Sequence, residues 1–385
     1  MVRDSEKLKR GGIYIHVPFC RGKCSYCSFY SVGGLKRIDW KTFAEAIVEE
    51  MRLRVSETDG WRNVTIYIGG GTPSMMDVVD LAWMLDCVRE SIVSRTGGDV
   101  MFPEITIEVN PDDVDEHKAK VWKNAGITRV SMGVQSMIDQ ELKSIGRRHD
   151  VSQVHDAYVI LRKYFSNISL DMIFGLPGQT LSSLEITLDE FLRLKPEHIS
   201  AYSLMYEERS LLTKQLERGE IEEQPENISV EMFSLINARL RDGGYERYEI
   251  SNYSLPGRRS VHNSSYWEGI PYIGLGPSAH SFDGYDIRRW NHADIKAYNN
   301  GRVSYEEEHL SPNERREEMI MTRLRVKEGL DLKRFREEFG EREYERLLKK
   351  CGPYIATGRI VRECDSLCLT DAGVMISDDI ISSLF

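Results

Sequence analysis

The sequence has no window approaching the 18 or more apolar residues of a membrane span, and its N-terminal MVRDSEKLKRGG lacks the apolar run of a signal peptide. A cytoplasmic protein is therefore expected. There is also no run of like charge long enough to form a basic stripe, and the formal net charge is -10. The electrostatic footprint of phosphate-backbone binding is missing, so nucleic acid is not an expected partner. The acidic balance leaves a peripheral membrane association through a partner open. Cysteines are few and odd in number, seven in 385 residues. In a reducing compartment such thiols are metal ligands or small buried hydrophobes rather than disulfide halves. No second Cys-x2-Cys lies near the first, so a closed four-ligand zinc site lacks its other half.

What is present is concentrated. YIHVPFCRGKCSYCSFYS, residues 14–31, places Cys20, Cys24 and Cys27 within eight residues. A cubane iron–sulfur cluster needs one thiolate per iron, so three cysteines on one loop can hold three irons and leave the fourth open. A zinc loop or a chance cluster is the plainer alternative. Cys87, Cys351, Cys364 and Cys368 are distant in sequence from the three; Cys87 on an amphipathic helix, and Cys364 and Cys368 around the DSL turn of a hairpin, read as structural thiols.

Short β-rich runs, GIYIHV, NVTIYIGGG, EITIEVN, ITRVSMGV, NISLDMIFG and HISAYSLM, alternate with amphipathic helical patterns such as WKTFAEAIVEEMRLRV and SSLEITLDEFLRLK. Strands joined by helical crossovers predict a parallel α/β sheet, and about six βα units predict a partial (β/α)6 TIM-like barrel. Ligands of such sheets sit at the carboxyl ends of the strands, where Gly69–Gly71, Glu108, Asn110, Gln135 and Asp171 should meet the cysteine loop. Three regions are expected: a barrel over 1–205, a barrel-associated extension over 206–300 that begins helical, turns irregular in a Gly, Ser and aromatic-rich segment and carries HNSSYW, and a smaller C-terminal helical, winged-helix-like domain over 301–385.

The Cys-x3-Cys-x2-Cys loop directly after a first strand, with Tyr26 before its last cysteine, resembles the radical S-adenosylmethionine (SAM) superfamily. The resemblance implies a [4Fe-4S] cluster whose free iron chelates the amine and carboxylate of SAM. GGGTP, Gly69–Pro73, resembles that family's glycine motif, although a tight strand-to-helix turn explains the glycines equally well.

YIHVPFC, IGGGTPS, IEVNPDD, SMGVQS, SIGRRHD, LDMIFGLPGQT and YEISNYS…HNSSYW…GLGPSAHSF together extend the likeness to the oxygen-independent coproporphyrinogen oxidase group, and within it to the heme chaperones. Carried over by motif, Tyr14 stacks near cluster and SAM, and Gly70, Gly71 and Thr72 meet the SAM methionine part. Glu108, Gln135, Arg147 and Asp171 match positions that bind its carboxylate, ribose or neighbouring polar groups. Loop caps, backbone pairing and a surface cation are the plainer readings of those four. His16 shares a strand face with Tyr14 and sits by the cluster or in the core.

Two departures separate the chain from the oxidases. Phe29 stands where their cluster loop carries a further Cys, and thirteen residues precede Tyr14 where they carry a long N-terminal extension. HNSSYW, residues 262–267, matches the HNxxYW motif of the heme chaperones. This implies His262 as an axial heme ligand, with Tyr266 and Trp267 on the macrocycle, against a plain loop histidine with core aromatics. His280 is a second imidazole, structural or near the site. The resemblance thus implies a cluster, SAM and heme as ligands, acceptors such as respiratory-chain components as partners, and leaves a homodimer open. The alternative function is SAM-dependent oxidative decarboxylation of coproporphyrinogen III.

Overall fold

The computed structural model describes residues 9–34, 37–208 and 210–385. Most of the N-terminal segment read above as lacking an apolar run lies outside them. All six expected strands form: β1 Arg10–Val17, β2 Asn63–Gly70, β3 Ile105–Val109, β4 Arg129–Gln135, β5 Ile168–Phe174 and β6 His198–Ser203. They pair in parallel in that order. The crossovers are α1 Trp40–Arg54, α2 Val78–Thr96, α3 Glu116–Asn124, α4 Val151–Tyr164 and α5 Leu181–Leu194. Local signals start these helices: Asp39 and Asp77 cap α1 and α2, and Asp150 with Gln153 forms a capping box on α4.

Alternation along the strands divides the sheet into two chemically distinct faces. Ile13, Ile15, Ile66, Ile68, Ile107 and Val130 are fully buried in the core that α1–α5 cover. Each such aliphatic contributes about 1.5–3 kcal/mol on burial. The residues between them, including Tyr14, Tyr67, Glu108, Ser131 and Asp171, hydrogen-bond with one another on the inner face. The helices therefore hold the sheet, and the inner face is left for polar chemistry.

Beyond β6 come α6 Glu226–Asp242, β7 Glu246–Arg247, β8 Asn252–Ser254, α7 Val261–Glu268, β9 Tyr272–Leu275, β10 His280–Phe282, β11 Ile287–Asn291 and β12 Tyr305–His309. Part of this region was expected to be irregular. Instead it extends the sheet at both ends, giving twelve strands in the order β12-β11-β10-β9-β1-β2-β3-β4-β5-β6-β8-β7. β9 joins β1 in parallel, with Tyr14 opposite Gly274, and the outer additions are antiparallel.

A second hydrophobic core, built on Ile320, Phe335, Leu347, Cys351 and Ile380, belongs to the C-terminal part. It comprises α8 Pro312–Leu324, β13 Leu330–Asp331, α9 Leu332–Phe339, α10 Glu341–Ala356, the hairpin β14 Ile360–Glu363 and β15 Ser366–Leu369, and α11 Ser377–Leu384. Helices with a hairpin are what the sequence led one to expect there. The cysteines of the hairpin do not face each other across the strands: Cys364 sits in its two-residue turn with a φ of 51°, and Cys368 stands opposite Val361. Among the described residues no helix is long and apolar enough to cross a membrane.

Candidate functional site

The cysteine loop leaves the sheet at the carboxyl end of β1 and is pinned along its length. Phe19–Cys20 pairs with Val32–Gly33 at its base, and the Ser25 N–H donates to the Ile145 carbonyl at 3.1 Å. Tyr26 packs against the small cluster of Ile145, Ile173 and Leu176. The three thiols are free and half-buried. Donors point at two of them: Thr72 Oγ1 lies 3.5 Å from Cys20 Sγ, and Arg147 Nη1 lies 3.5 Å from Cys24 Sγ. Hydroxyl and guanidinium donors aimed at sulfur suit thiolates that carry charge. Among the described residues no three His, Cys, Asp or Glu side chains converge to hold a single metal ion. A cubane asks instead for one thiolate per iron.

Behind the loop lies the glycine turn at the end of β2. Gly70 has a φ of 105°, and a Cβ there would stand 2.5 Å from the His16 ring. A Cβ on Gly71 would stand 2.6 Å from the Phe19 carbonyl oxygen. The turn can lie against β1 and the cysteine loop only because both are glycine. The Gly70 N–H donates to Glu108 Oε2 at 3.1 Å, and the Tyr67 hydroxyl donates to Glu108 Oε1 at 2.8 Å. Burial raises the Glu108 carboxyl to about 7, with those two hydrogen bonds acting the other way.

Arg147 spans the mouth. Besides Cys24, its guanidinium donates to Asn110 Oδ1 at 2.7 Å and to the Gly133 carbonyl at 2.6 Å, while its buried Nε has no partner among the described residues. Gln135 closes β4 with a left-handed φ of 73°, next to a register shift at Gly133. A non-glycine residue held there is a strained position of the kind that accumulates at binding sites. Asp171 lies deeper, accepting from Ser131 and Ser169 at 3.0 and 3.1 Å, and burial raises its pKa. Tyr14 and His16 do share a face: the Tyr14 hydroxyl is 3.0 Å from His16 Nδ1, and His16 Nε2 is 2.9 Å from the Tyr30 carbonyl.

HNSSYW forms the body of α7, and its position is fixed by a residue far away in sequence. Glu104, just before β3, accepts from the Val261 N–H at 2.9 Å, from the His262 N–H at 2.9 Å and from Ser260 Oγ at 3.2 Å. A carboxylate on a helix N-terminus satisfies its orphan N–H groups and its dipole. His262 then points into the sheet's inner face, 1% exposed and stacked on Tyr67 with ring centroids 5.2 Å apart. Its Nδ1 is 2.8 Å from Thr65 Oγ1 and its Nε2 is 2.8 Å from the Tyr266 hydroxyl. Burial, with Arg129 nearby, lowers its pKa to about 3, so the ring is neutral.

On the far side of Tyr266 opens a cavity of about 1080 Å³, walled by the end of α7, by β9 and β10 and by α8 and α9. Tyr14, His16 and Phe29 reach it from the cysteine loop and β1; Trp267 and His280 line it, and His262 does not.

Two family models match the chain: the radical SAM superfamily over residues 14–191 and the HemN C-terminal domain over residues 310–376. Curated relatives match nearly throughout. The chain is 32% identical to the heme chaperone HemW of Bacillus subtilis over 96% of its own length and 98% of the relative's. It is 34% identical to the heme chaperone HemW of Lactococcus lactis over 86% of each.

The chain belongs to the HemW family of radical SAM proteins.

In fold it is similar to the coproporphyrinogen III oxidase HemN of Escherichia coli, with a TM-score of 0.81 at 19% identity over 99% of this chain and 92% of that one. The expected residues of this family's site gather as two groups. Thr72 meets Cys20, Arg147 meets Cys24 and Gly70 meets Glu108; the Cys27 N–H donates to the Cys24 carbonyl within the loop, Gly71 lies in the turn against Phe19, and Tyr14, Gln135 and Asp171 lie along the same inner face. His262 stands apart from the open cavity.

Sequence reasoning passed over Tyr67, Glu104 and Arg129. Arg129 is 1% exposed, and its Nε and Nη1 have no hydrogen-bond partner among the described residues. The signal available was a charged residue inside a strand otherwise buried by helices, which only a polar inner face accommodates.

Proposed function

We propose that the protein is a cytoplasmic heme chaperone that binds a [4Fe-4S] cluster, SAM and heme and passes heme to acceptor proteins such as respiratory-chain components. The observation that carries this reading is the cavity of about 1080 Å³ beside the cysteine loop. It is as large as pockets for big ligands become, and it is lined by aromatics and by charged side chains of both signs. Phe29, on the loop itself, is 61% exposed and faces this cavity. The relatives named heme chaperones support the same conclusion.

Cys20, Cys24 and Cys27 would hold the cluster; the donors on Cys20 and Cys24 fit it, and Arg147 ties its loop to Gly133 and Asn110. When bound, such a cluster supplies an open iron for the SAM amine and carboxylate and an electron for the sulfonium. Around it the chain's own residues position SAM. Gly70 and Gly71 let backbone approach it, Thr72 and Arg147 flank the thiols, and Tyr14, Glu108, Gln135 and Asp171 supply polar contacts from the inner face. His262 acts in this reading as a support, because Thr65 and Tyr266 occupy its two ring nitrogens. It holds Tyr266 at the cavity wall.

Hemin titrated into the anaerobically reconstituted protein tests the reading. A saturable Soret band at one heme per chain is expected; spectra that remain those of free hemin would overturn it.

A further inference from the structure

Three histidines lie at or beside the cavity, and two of them are engaged. His262 bonds through both nitrogens to Thr65 and Tyr266, and His16 through both to Tyr14 and Tyr30. His280 differs: among the described residues neither of its ring nitrogens has a hydrogen-bond partner. Its ring is held in place nonetheless. It stands opposite Trp290 across β10 and β11 and stacks on that indole, centroids 5.9 Å apart and planes 24° apart. Burial and the nearby Arg288 lower its pKa, so it is neutral at pH 7 with a lone pair free.

The charges around the cavity are unevenly spent. Glu318 pairs with Arg288, Glu338 with Arg315 and Glu268 with Arg10. Asp331 caps α9 and Asp283 accepts from the N–H groups of residues 285–287. On the C-terminal wall, Arg323 and Arg334 form no ion pair among the described residues. Arg323 reaches only the Trp267 carbonyl, at 3.4 Å, and burial lowers its pKa. Glu268, Glu328 and Asp331 act on Arg323 only through space, and Glu337 lines the same cavity; two guanidiniums on one wall with no direct ion pair favour a ligand that brings its own carboxylates.

We propose that heme occupies this cavity with His280 as axial ligand and with its propionates on Arg323 and Arg334, so that the C-terminal domain closes over the cargo. This rests on the heme-chaperone reading and gives it a place. Tyr266, Trp267 and Phe282 supply flat surfaces for the macrocycle. The imidazole donates its lone pair to ferric iron, and no electron is transferred.

Hemin titration of the full chain, followed at the Soret band and by electron paramagnetic resonance, tests it. His280→Gly should lose the imidazole-ligated signature and bind hemin at least tenfold more weakly, and added imidazole should restore the signature. Arg323→Gln with Arg334→Gln should weaken binding several-fold while the signature stays. His262→Gln, whose amide can still bond Thr65 and Tyr266, should keep the signature. A His280→Gly protein that titrates like wild type, or a signature that disappears with His262 instead, would overturn the assignment while leaving the chaperone reading intact. Failure of the wild type to bind hemin would remove both.

Discussion

The hydroxyl of Tyr266 lies 2.8 Å from Nε2 of His262 and closes that imidazole off from the cavity on the other side of the phenol ring. With Thr65 Oγ1 on Nδ1, the ring is a buried link between β2 and α7.

Removing the link should act on stability first. His262→Ala leaves two hydroxyls without partners and a void under Tyr67, which costs about 2–4 kcal/mol. Tyr266→Phe leaves one buried nitrogen unpaired and should cost about 1–2 kcal/mol. Denaturant titration measures both; a His262→Ala protein as stable as wild type would show that the link carries no load.

Glu104 should matter as much as any residue of the motif it holds. Glu104→Ala strips three donors at the start of α7 of their acceptor, and a loss of about 2–4 kcal/mol is expected, with Glu104→Gln in between. Faster amide exchange confined to residues 260–268 would report the loosened helix start. Unchanged exchange there would contradict the capping role.

Glu108 makes stability depend on pH in an unusual direction. Between the ordinary 4.5 and its folded value of about 7, the folded chain holds a proton that the unfolded chain has lost. Stability therefore falls as pH rises through that window, by about 3 kcal/mol once it is passed. SAM-free Glu108→Gln should melt above wild type at pH 8 and level with it near pH 5, while binding SAM more weakly. A variant that melts below wild type at pH 8 would contradict the buried-carboxyl account.

The cluster loop gives a graded pair of outcomes. Cys24→Ser should lose most iron and sulfide per chain. Arg147→Met, which removes the donor to Cys24 Sγ and the tether to Gly133 and Asn110, should lower cluster occupancy several-fold without abolishing it. A full iron and sulfide content in Cys24→Ser would place the ligands elsewhere.

The parts of this architecture legible in the sequence are those written locally. Runs such as NVTIYIGGG carry β-branched residues and end in glycine, so strand, strand end and turn are read together. β9 to β12 escaped because they are three to five residues long and interrupted by Gly274, Gly276, Pro277 and Gly284, so no strand period has room to show. The hold of Glu104 on α7 spans 158 residues of chain, and nothing in EITIEVN announces it. His262 shows a different limit. A motif gives the imidazole but not the direction of its nitrogens, and here those nitrogens are taken by Thr65 and Tyr266. The unengaged imidazole, His280, lay in a glycine-rich segment that read as irregular.

The claim that this chain carries porphyrin rather than transforms it is tested most directly by incubating the anaerobically reconstituted protein with coproporphyrinogen III, SAM and a reductant, and quantifying porphyrin products per chain. The account predicts no product beyond a single equivalent, from a preparation that binds hemin stoichiometrically. Protoporphyrinogen formed over many turnovers would contradict it.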